Sequence, residues 1–260
     1  MVGSIILLTI VLSVVLAPQI APGEPTGRDA SVAMRPPSSE YLFGTDHIGR
    51  DVLTRVLYGG RLSLRVGFIA VIIAAVSGWI LGTVAGFTGG YVDEIIMRIM
   101  DVFLTFPPLL LALVVVTVLG PGISNMMLAI GISGIPRFAR LVRGSILSAK
   151  ENVYVEAARA LGARNTLIMW RHLTPNVLAP ILVYGTLYVG TAILTAATMS
   201  FLGLGAEPPT PEWGLMLSEG RDFMRRAWWL TFFPGVAITL SVVAINMIGD
   251  GIRDILDPRL

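Results

Sequence analysis

The sequence has 260 residues, of which 54% are hydrophobic and only 14% charged, with a net charge of +2 and no cysteine. Soluble domains average about 25% charged residues, so this composition excludes an ordinary soluble protein. Without cysteine, disulfides and thiolate metal sites are excluded, and the small net charge gives no indication of nucleic-acid binding. The charged residues form a few groups, and the intervals between the groups are long enough to cross a bilayer. The sequence therefore predicts an all-α polytopic membrane protein.

The chain opens on an apolar stretch, 1–21, which we interpret as the first transmembrane helix. A cleaved signal peptide is the alternative, because Ala17 and Ala21 are small and could flank a cleavage site. Several further apolar stretches follow, which favours the helix. Next comes 22–63, rich in Pro, Gly and Ser at first. This segment is expected to be an extracytoplasmic loop whose last part forms a short amphipathic helix.

The remaining apolar stretches predict five more spans in a core domain at 64–252, followed by a tail at 253–260. The charged segment 91–101 is expected to be a turn between helices, and Gly120-Pro121-Gly122 divides a stretch that is too long for one span. The spans are expected at about 64–89, 102–119, 123–141, 176–200 and 228–249. No charged residue is expected deep in a span.

A glycine repeat lies in the second predicted span. Gly78, Gly82 and Gly86 recur every four residues and leave one helix face smooth. A second helix can approach such a face closely, so we predict a helix-packing surface. A gate that slides is the alternative function of this strip.

The segment 148–175 is the one long polar and basic segment between apolar spans. Ser148 and Glu151 have the spacing of a capping box, Gly162 interrupts the helix that follows, and a second short helical run is expected at 165–172. One face of the first helix carries small and aliphatic residues: Val153, Ala157, Ala160 and Leu161. An amphipathic helix on anionic lipid is the alternative, but deep lipid anchors carry larger side chains, so a protein groove is favoured as its partner.

Several fixed residues in this segment resemble the EAA loop of ABC importer permeases: Glu156-Ala157-Ala158, Gly162, Ile168 and Leu173-Thr174-Pro175. Two other stretches resemble the dipeptide, oligopeptide and nickel importer permeases of that family: Gly44-Thr45-Asp46 with Gly49-Arg50-Asp51, and the loop around Trp213. The resemblance covers about residues 40–260. It implies the six-helix fold of ABC type I importer permeases, in which the loop is a cytoplasmic coupling helix.

The resemblance also implies partners. These are a second permease subunit, two ABC ATPase subunits that use ATP and Mg²⁺, and an extracytoplasmic substrate-binding protein, with no cofactor in this chain. No GxxxxGK[ST] motif is present, so ATP hydrolysis is expected in the partners, and this chain is expected to be non-catalytic. The residues expected to contact an ATPase are Glu156, Ala157, Ala158, Ala160, Leu161, Gly162 and Pro175. Trp213 is expected outside the membrane, either touching the binding protein or packed as a cover over the cavity. Peptides are the first expected substrate, and nickel or a nickel chelate is the second.

The charge distribution predicts the orientation. Residues 137–172 carry seven Lys or Arg against two acids, so this segment is expected in the cytoplasm of a bacterial or archaeal cell. Four spans before it and two after it then leave both termini cytoplasmic. Arg50, Arg55, Arg61 and Arg65 would lie outside, which is an opposing signal.

Two functions from other classes are the alternatives. A membrane enzyme would have to combine Asp46, His47 and His172, but the expected topology puts the two histidines on opposite sides of the membrane. A passive channel would carry a ring of polar pore residues, which the spans lack, and would have no use for the polar loop.

Overall fold

The structure is a computed structural model that describes residues 1–164 and 167–256, and it is almost entirely helical. The helices are α1 (Val2–Val15), α2 (Ala17–Ile20), α3 (Val52–Thr88), α4 (Gly90–Leu104), α5 (Pro108–Leu119), α6 (Ile123–Lys150), α7 (Val153–Ala160), α8 (Thr174–Phe201), α9 (Trp213–Arg221) and α10 (Trp229–Leu256). A short 3₁₀ turn, Ala30–Val32, and a π-helix, Ile168–Leu173, complete the regular structure of these residues. The predicted all-α membrane fold is confirmed.

Three helices of the described chain are long and apolar enough to cross a bilayer: α3, α8 and α10. The pair α4 and α5 qualifies together, although the two helices are bent by 95° at the break between them. Helix α1 is apolar but only 14 residues long, and α6 has 28 residues but carries four cations in its second half. The total of six spans therefore stays a prediction.

Helix α3 is longer than the sequence suggested. It begins at Val52 instead of residue 64, because Asp51 caps its first turn by accepting a hydrogen bond of 2.6 Å from the backbone N–H of Thr54. Nothing between Val52 and Thr88 interrupts the backbone ladder. The short amphipathic helix expected within 22–63 is thus the N-terminal end of this same helix.

The charged segment 91–101 is helical, not a turn, and belongs to α4. Its acids face cations of α6: Asp93 receives two hydrogen bonds of 2.5 and 2.6 Å from Arg143, and Asp101 pairs with Arg140. Charged residues can lie within packed helices when they form ion pairs between them. The high charge of 91–101 was therefore not evidence for a turn. Helix α10 likewise extends past residue 249 to Leu256, and 257–260 lie outside the described residues.

The central contact of the bundle is between α3 and α6. All three glycines of the predicted strip are buried and face α6. A methyl group at Gly78 would overlap Phe138, and one at Gly82 would overlap the carbonyl oxygen of Ala139 and the side chain of Val142. The two backbones therefore approach as closely as small residues allow.

Helix α1 lies along α10 and reaches α3. Gly3 packs against Met247 near the end of α10, and at the other end the Arg61 guanidinium donates hydrogen bonds to the carbonyl oxygens of Val14 and Val15, at 2.9 and 2.7 Å. These bonds satisfy carbonyls that the end of α1 leaves open. Helix α1 thus spans much of the height of the bundle.

A matched pair of substitutions tests the close contact. Gly82→Ala should destabilise the protein by about 1–3 kcal/mol because the added methyl overlaps α6. Gly144→Ala, also inside a helix but with open space around it, should leave stability unchanged or raise it, since alanine favours helix. Thermal unfolding in detergent reports both, at about 2–4 °C per kcal/mol. Equal melting temperatures for the two variants would contradict the packing.

Candidate functional site

The predicted functional loop joins α6 to α8. Helix α6 runs to Lys150, so Ser148 lies inside it and is not the cap of the next helix. A tight turn at Glu151 and Asn152 leads into α7, which is only eight residues long. The helix, glycine turn and second helix expected from the sequence are present, but the first helix starts later than the capping-box spacing suggested.

Helix α7 presents an exposed face. Residues with exposed side chains are Val153, Tyr154, Glu156, Ala157, Ala160 and Leu161. Leu161 is 88% exposed and Val153 is 79% exposed, which is unusual for aliphatic side chains unless a partner covers them. This is the face that the sequence periodicity indicated.

The opposite face of α7 is anchored to the bundle. Val155 is fully buried and Ala158 packs beside it, in a cluster with residues of α6, the π-helix and α8: Val142, Ile146, Ala149, Ile168, Leu173 and Val177. Of the residues predicted to contact an ATPase, Ala158 is therefore turned towards this cluster and away from the exposed face.

Gly162 ends α7 with a φ of +81°, a conformation that side chains with a Cβ rarely adopt. The N–H of Ala163 bonds to the carbonyl of Ala158 at 3.0 Å, the long bond of a Schellman turn. A Cβ at Gly162 would meet nothing within 4 Å, so its backbone conformation, and not space, requires glycine here.

The loop enters α8 without a break. The π-helix continues directly into α8, and the Thr174 hydroxyl donates to the carbonyl of Met169 at 2.9 Å. The helix expected to stop before Pro175 does not stop, and Pro175 lies in the first turn of α8. Of the predicted second run, 165–166 lie outside the described residues, as does the side chain of Pro175.

Polar contacts also tie the end of α6 to its neighbours. The Lys150 ammonium donates to the carbonyl oxygens of Gly86 and Phe87, at 2.9 and 2.7 Å, and so caps the C-terminus of α3. The pair of Arg143 with Asp93 joins α6 to α4. The loop is thus mounted on a rigid corner where three helices end or begin.

Trp213 lies at the other end of the bundle and is buried, with 1% of its surface exposed. Its indole N–H donates to the carbonyl of Val56 at 2.9 Å, and its ring fills the space beside Gly60. Glu212 caps α9 and accepts a hydrogen bond of 2.9 Å from the Ser63 hydroxyl. The Trp213 side chain therefore packs between α9 and α3 and is not available to an external protein, as in the alternative of a packed cover.

A buried charge cluster near Trp213 was missed by the sequence analysis. Arg50 and Arg55, each 1% exposed, both donate to the same carboxylate oxygen of Glu219, at 3.0 and 2.8 Å. Arg50 also pairs with Asp46. The only sequence signal was the GTDxxGRD pattern, since Glu219 lies far away along the chain.

His47 stacks on the ring of Phe223, with centroids 5.1 Å apart. The Asp46 carboxylate accepts a hydrogen bond from Arg50. The described residues contain no group of three or more His, Asp or Glu that could hold a metal ion. The side chain of His172 lies outside the described residues. The structure thus gives Asp46 and His47 structural contacts in the outer cluster.

Comparison with known proteins adds independent evidence. Residues 78–260 match the family described as binding-protein-dependent transport system inner membrane component. The chain is 48% identical to the dipeptide transport system permease protein DppC of Alkalihalophilus pseudofirmus, over 100% of this chain and 85% of that protein. It is 44% identical to the di/tripeptide transport system permease protein DppC of Pseudomonas aeruginosa, over 99% of this chain and 87% of that protein.

Among solved structures, an inward-facing form of the MetNI methionine ABC transporter has a similar fold. A chain of that transporter matches with a TM-score of 0.63 and 19% identity, covering 78% of this chain and 96% of its own length. At this identity the match bears on the fold alone.

The buried charge cluster generates a prediction about stability. Glu219→Gln should destabilise the protein by about 3 kcal/mol or more, because it leaves two buried guanidinium groups with a single carboxylate. The control is Asp222→Asn, which breaks the exposed pair with Arg221 and should cost less than about 1 kcal/mol. Thermal unfolding in detergent measures both. A Glu219→Gln protein as stable as Asp222→Asn would show that the cluster contributes nothing to stability.

Proposed function

The chain belongs to the family of binding-protein-dependent transport system inner membrane components, and on this premise we propose that it is the permease subunit of an ATP-driven importer of di- or oligopeptides. The observation that carries the proposal is the exposed face of α7, held on a loop that is rigidly attached to two long helices. A transporter that hydrolysed ATP elsewhere would need such a projection to receive the movement.

The exposed side chains of α7 support a contact with an ATPase subunit. Glu156, Ala157, Ala160 and Leu161 face away from the bundle, and Gly162 fixes the turn behind them. Small residues let a helix enter a groove closely, and Leu161 supplies an apolar anchor. Ala158 packs on the inner side of the same element.

The transport cycle follows from how α7 is mounted. Its inner face packs on α6 and α8, so a displacement of α7 by closing ATPases would move both helices together. Alternating access requires a movement of this kind. One chain of this size cannot enclose a hydrated path for a peptide, so a second permease subunit completes it, with two ATPases and an extracytoplasmic binding protein as further partners.

The charge pattern supports a cytoplasmic α7 with both termini on the same side of a bacterial or archaeal plasma membrane. Arg50, Arg55, Arg61 and Arg65 at the other end oppose this orientation, because the rule counts Lys and Arg and not net charge. Arg50 and Arg55 are neutralised by Asp46 and Glu219, and Arg61 is bound by the carbonyls of α1. The count of six passages, with α1 and α6 as spans, remains part of the proposal.

Peptides are the substrate class that the relatives support. Both are named as permeases for di- or tripeptides, and the sequence similarity extends over the whole of this chain.

Cross-linking tests the coupling role, and the absence of cysteine makes the background clean. One cysteine replaces Ala160 and another is placed in the groove of a co-expressed ATPase. A disulfide whose yield changes with ATP is expected. No cross-link with any candidate ATPase, in folded membranes, would favour the lipid-surface alternative and overturn the proposal.

Two glycines with the same backbone conformation give a matched test of coupling. Gly162 and Gly203 both have φ of +81° and open space around them, so valine at either position imposes similar local strain. Gly162→Val should abolish most peptide uptake, because it reorients α7, whereas Gly203→Val should retain most of it. Uptake of labelled dipeptide by cells, normalised to the amount of assembled transporter, measures both. Equal losses would indicate that Gly162 has no special role in coupling.

A further inference from the structure

One cation of α6 lies deeper than the sequence suggested. Arg137 stands halfway along α6, and its neighbour Phe138 packs against Gly78. Gly78 in turn lies in the middle of the uncharged part of α3, 66–88. The distance from Gly78 to the end of α3 at Thr88 is about 15 Å, half of the roughly 30 Å hydrocarbon core. This geometry puts Arg137 near the middle of the membrane, unlike the expectation that no charged residue lies deep in a span.

Arg137 also differs from the other cations of α6 in its partners. Arg140 pairs with Asp101, Arg143 pairs with Asp93, and Lys150 is bound by two carbonyl oxygens. Within 1–164 and 167–256, no carboxylate forms an ion pair with Arg137. Its neighbour is the phenol of Tyr184 on α8. Arginine stays charged in proteins, so a cation at this depth requires an anion or water beside it.

Aromatic rings hold this environment in place. Phe138 meets Tyr184 edge to face, with centroids 4.8 Å apart, and Tyr188 stacks on Tyr184 at 6.0 Å. Gly134 leaves room for Tyr188, since a Cβ there would lie 2.6 Å from its hydroxyl oxygen. Tyr184 is thus fixed beside Arg137 and adds a hydroxyl that can donate to an anion.

A cavity opens beside Tyr184, the neighbour of Arg137. Tyr184 lines it together with Leu141, which lies one helical turn from Arg137 on the same face of α6, and with Arg253; its volume is about 390 Å³. It adjoins a larger cavity of about 770 Å³ that shares Leu141 and extends to Tyr154 beside α7. The smaller cavity is lined mainly by apolar side chains, with Tyr184 and Arg253 as its polar groups, and the larger one adds hydroxyl, amide and guanidinium groups. No carboxylate lines either cavity in the described parts of the chain.

We propose that Arg137, with the Tyr184 hydroxyl beside it, binds the C-terminal carboxylate of the transported peptide halfway through the membrane. This inference rests on the proposed peptide permease. A guanidinium group binds a carboxylate through two parallel hydrogen bonds, and this pairing supplies the negative charge that Arg137 otherwise lacks. The phosphate of an anionic lipid is the competing ligand, but lipid headgroups lie at the membrane surface, about 15 Å from this depth.

Transport by the complete reconstituted system provides the first test. The permease is assembled with its partner permease, ATPases and binding protein in liposomes. Arg137→Gln should lower dipeptide uptake about tenfold, the effect of losing one charge-assisted contact, and Arg137→Lys should lower it less. The control, Arg98→Gln, removes an exposed cation of α4 and should change nothing. Uptake by Arg137→Gln equal to that of the unaltered protein would overturn the proposal.

A binding assay separates this site from the binding protein, which can also recognise carboxylates. Leu141→Cys places a reporter in the cavity, and its reaction with a water-soluble maleimide is followed in nanodiscs without binding protein. A dipeptide should slow the reaction at least about threefold, whereas the same dipeptide with an amidated C-terminus should not. The comparison of acid with amide leaves Arg137 intact, so it remains decisive even if Arg137 variants fold poorly.

The outcomes distinguish the two proposals. Equal protection by acid and amide, or protection that persists in Arg137→Gln, would overturn the carboxylate site while leaving a peptide permease intact. Protection by phosphatidylglycerol in the nanodisc, but not by dipeptide, would assign Arg137 to lipid and overturn the site. If the unaltered transporter moves no peptide at all, the proposed function fails, and the site falls with it.

Discussion

Close packing of α3 against α6 is the contact on which the rest of the bundle depends. Helices in lipid gain little from hydrophobic burial against one another, so backbone approach at small residues provides much of their association. The glycines of α3 permit that approach, and the register it sets brings Lys150 onto the last carbonyls of α3. The same register places Phe138 at Gly78 and so determines the depth of Arg137. The packing of α3 against α6 thus determines both the position of α7 and the position of Arg137.

The structure neutralises its charges locally, and this explains how so apolar a chain keeps cations in and near the membrane. Arg50 and Arg55 share one carboxylate of Glu219 at the outer end, and Arg143 shares both oxygens of Asp93 at the other end. Each pair fastens a loop or a short helix to a long helix, so the charges also determine the tertiary structure. Within the described residues Arg137 lies beside a tyrosine and pairs with no acid, which is the arrangement expected of a site that receives its anion from outside.

Local patterns predicted part of the molecule well. The helical class, the polar loop between two long helices and the exposed face of α7 all follow from periodicity and composition, and Gly162 marks its turn because few residues tolerate positive φ. Features that depend on distant partners were not predictable. The segment 91–101 resembled a loop because the cations that pair with its acids are about 40 to 50 residues away. The depth of Arg137 was missed because nothing in the sequence indicated that α6 continues to Lys150.

The packing of α7 against the bundle connects the proposed coupling site with the proposed substrate site. Val155 on the inner face of α7 lies in the same buried cluster as Ile146 of α6 and Val177 of α8. The cavity beside Tyr184 and the larger cavity that adjoins it lie between these same two helices, and the larger one is bordered by Tyr154 of α7 itself. Any displacement of α7 that preserves its packing must therefore change the shape of this space. A site that holds one end of the peptide at the middle of the membrane would be opened or closed by the same displacement, because Arg137 and Tyr184 belong to the two helices that α7 moves.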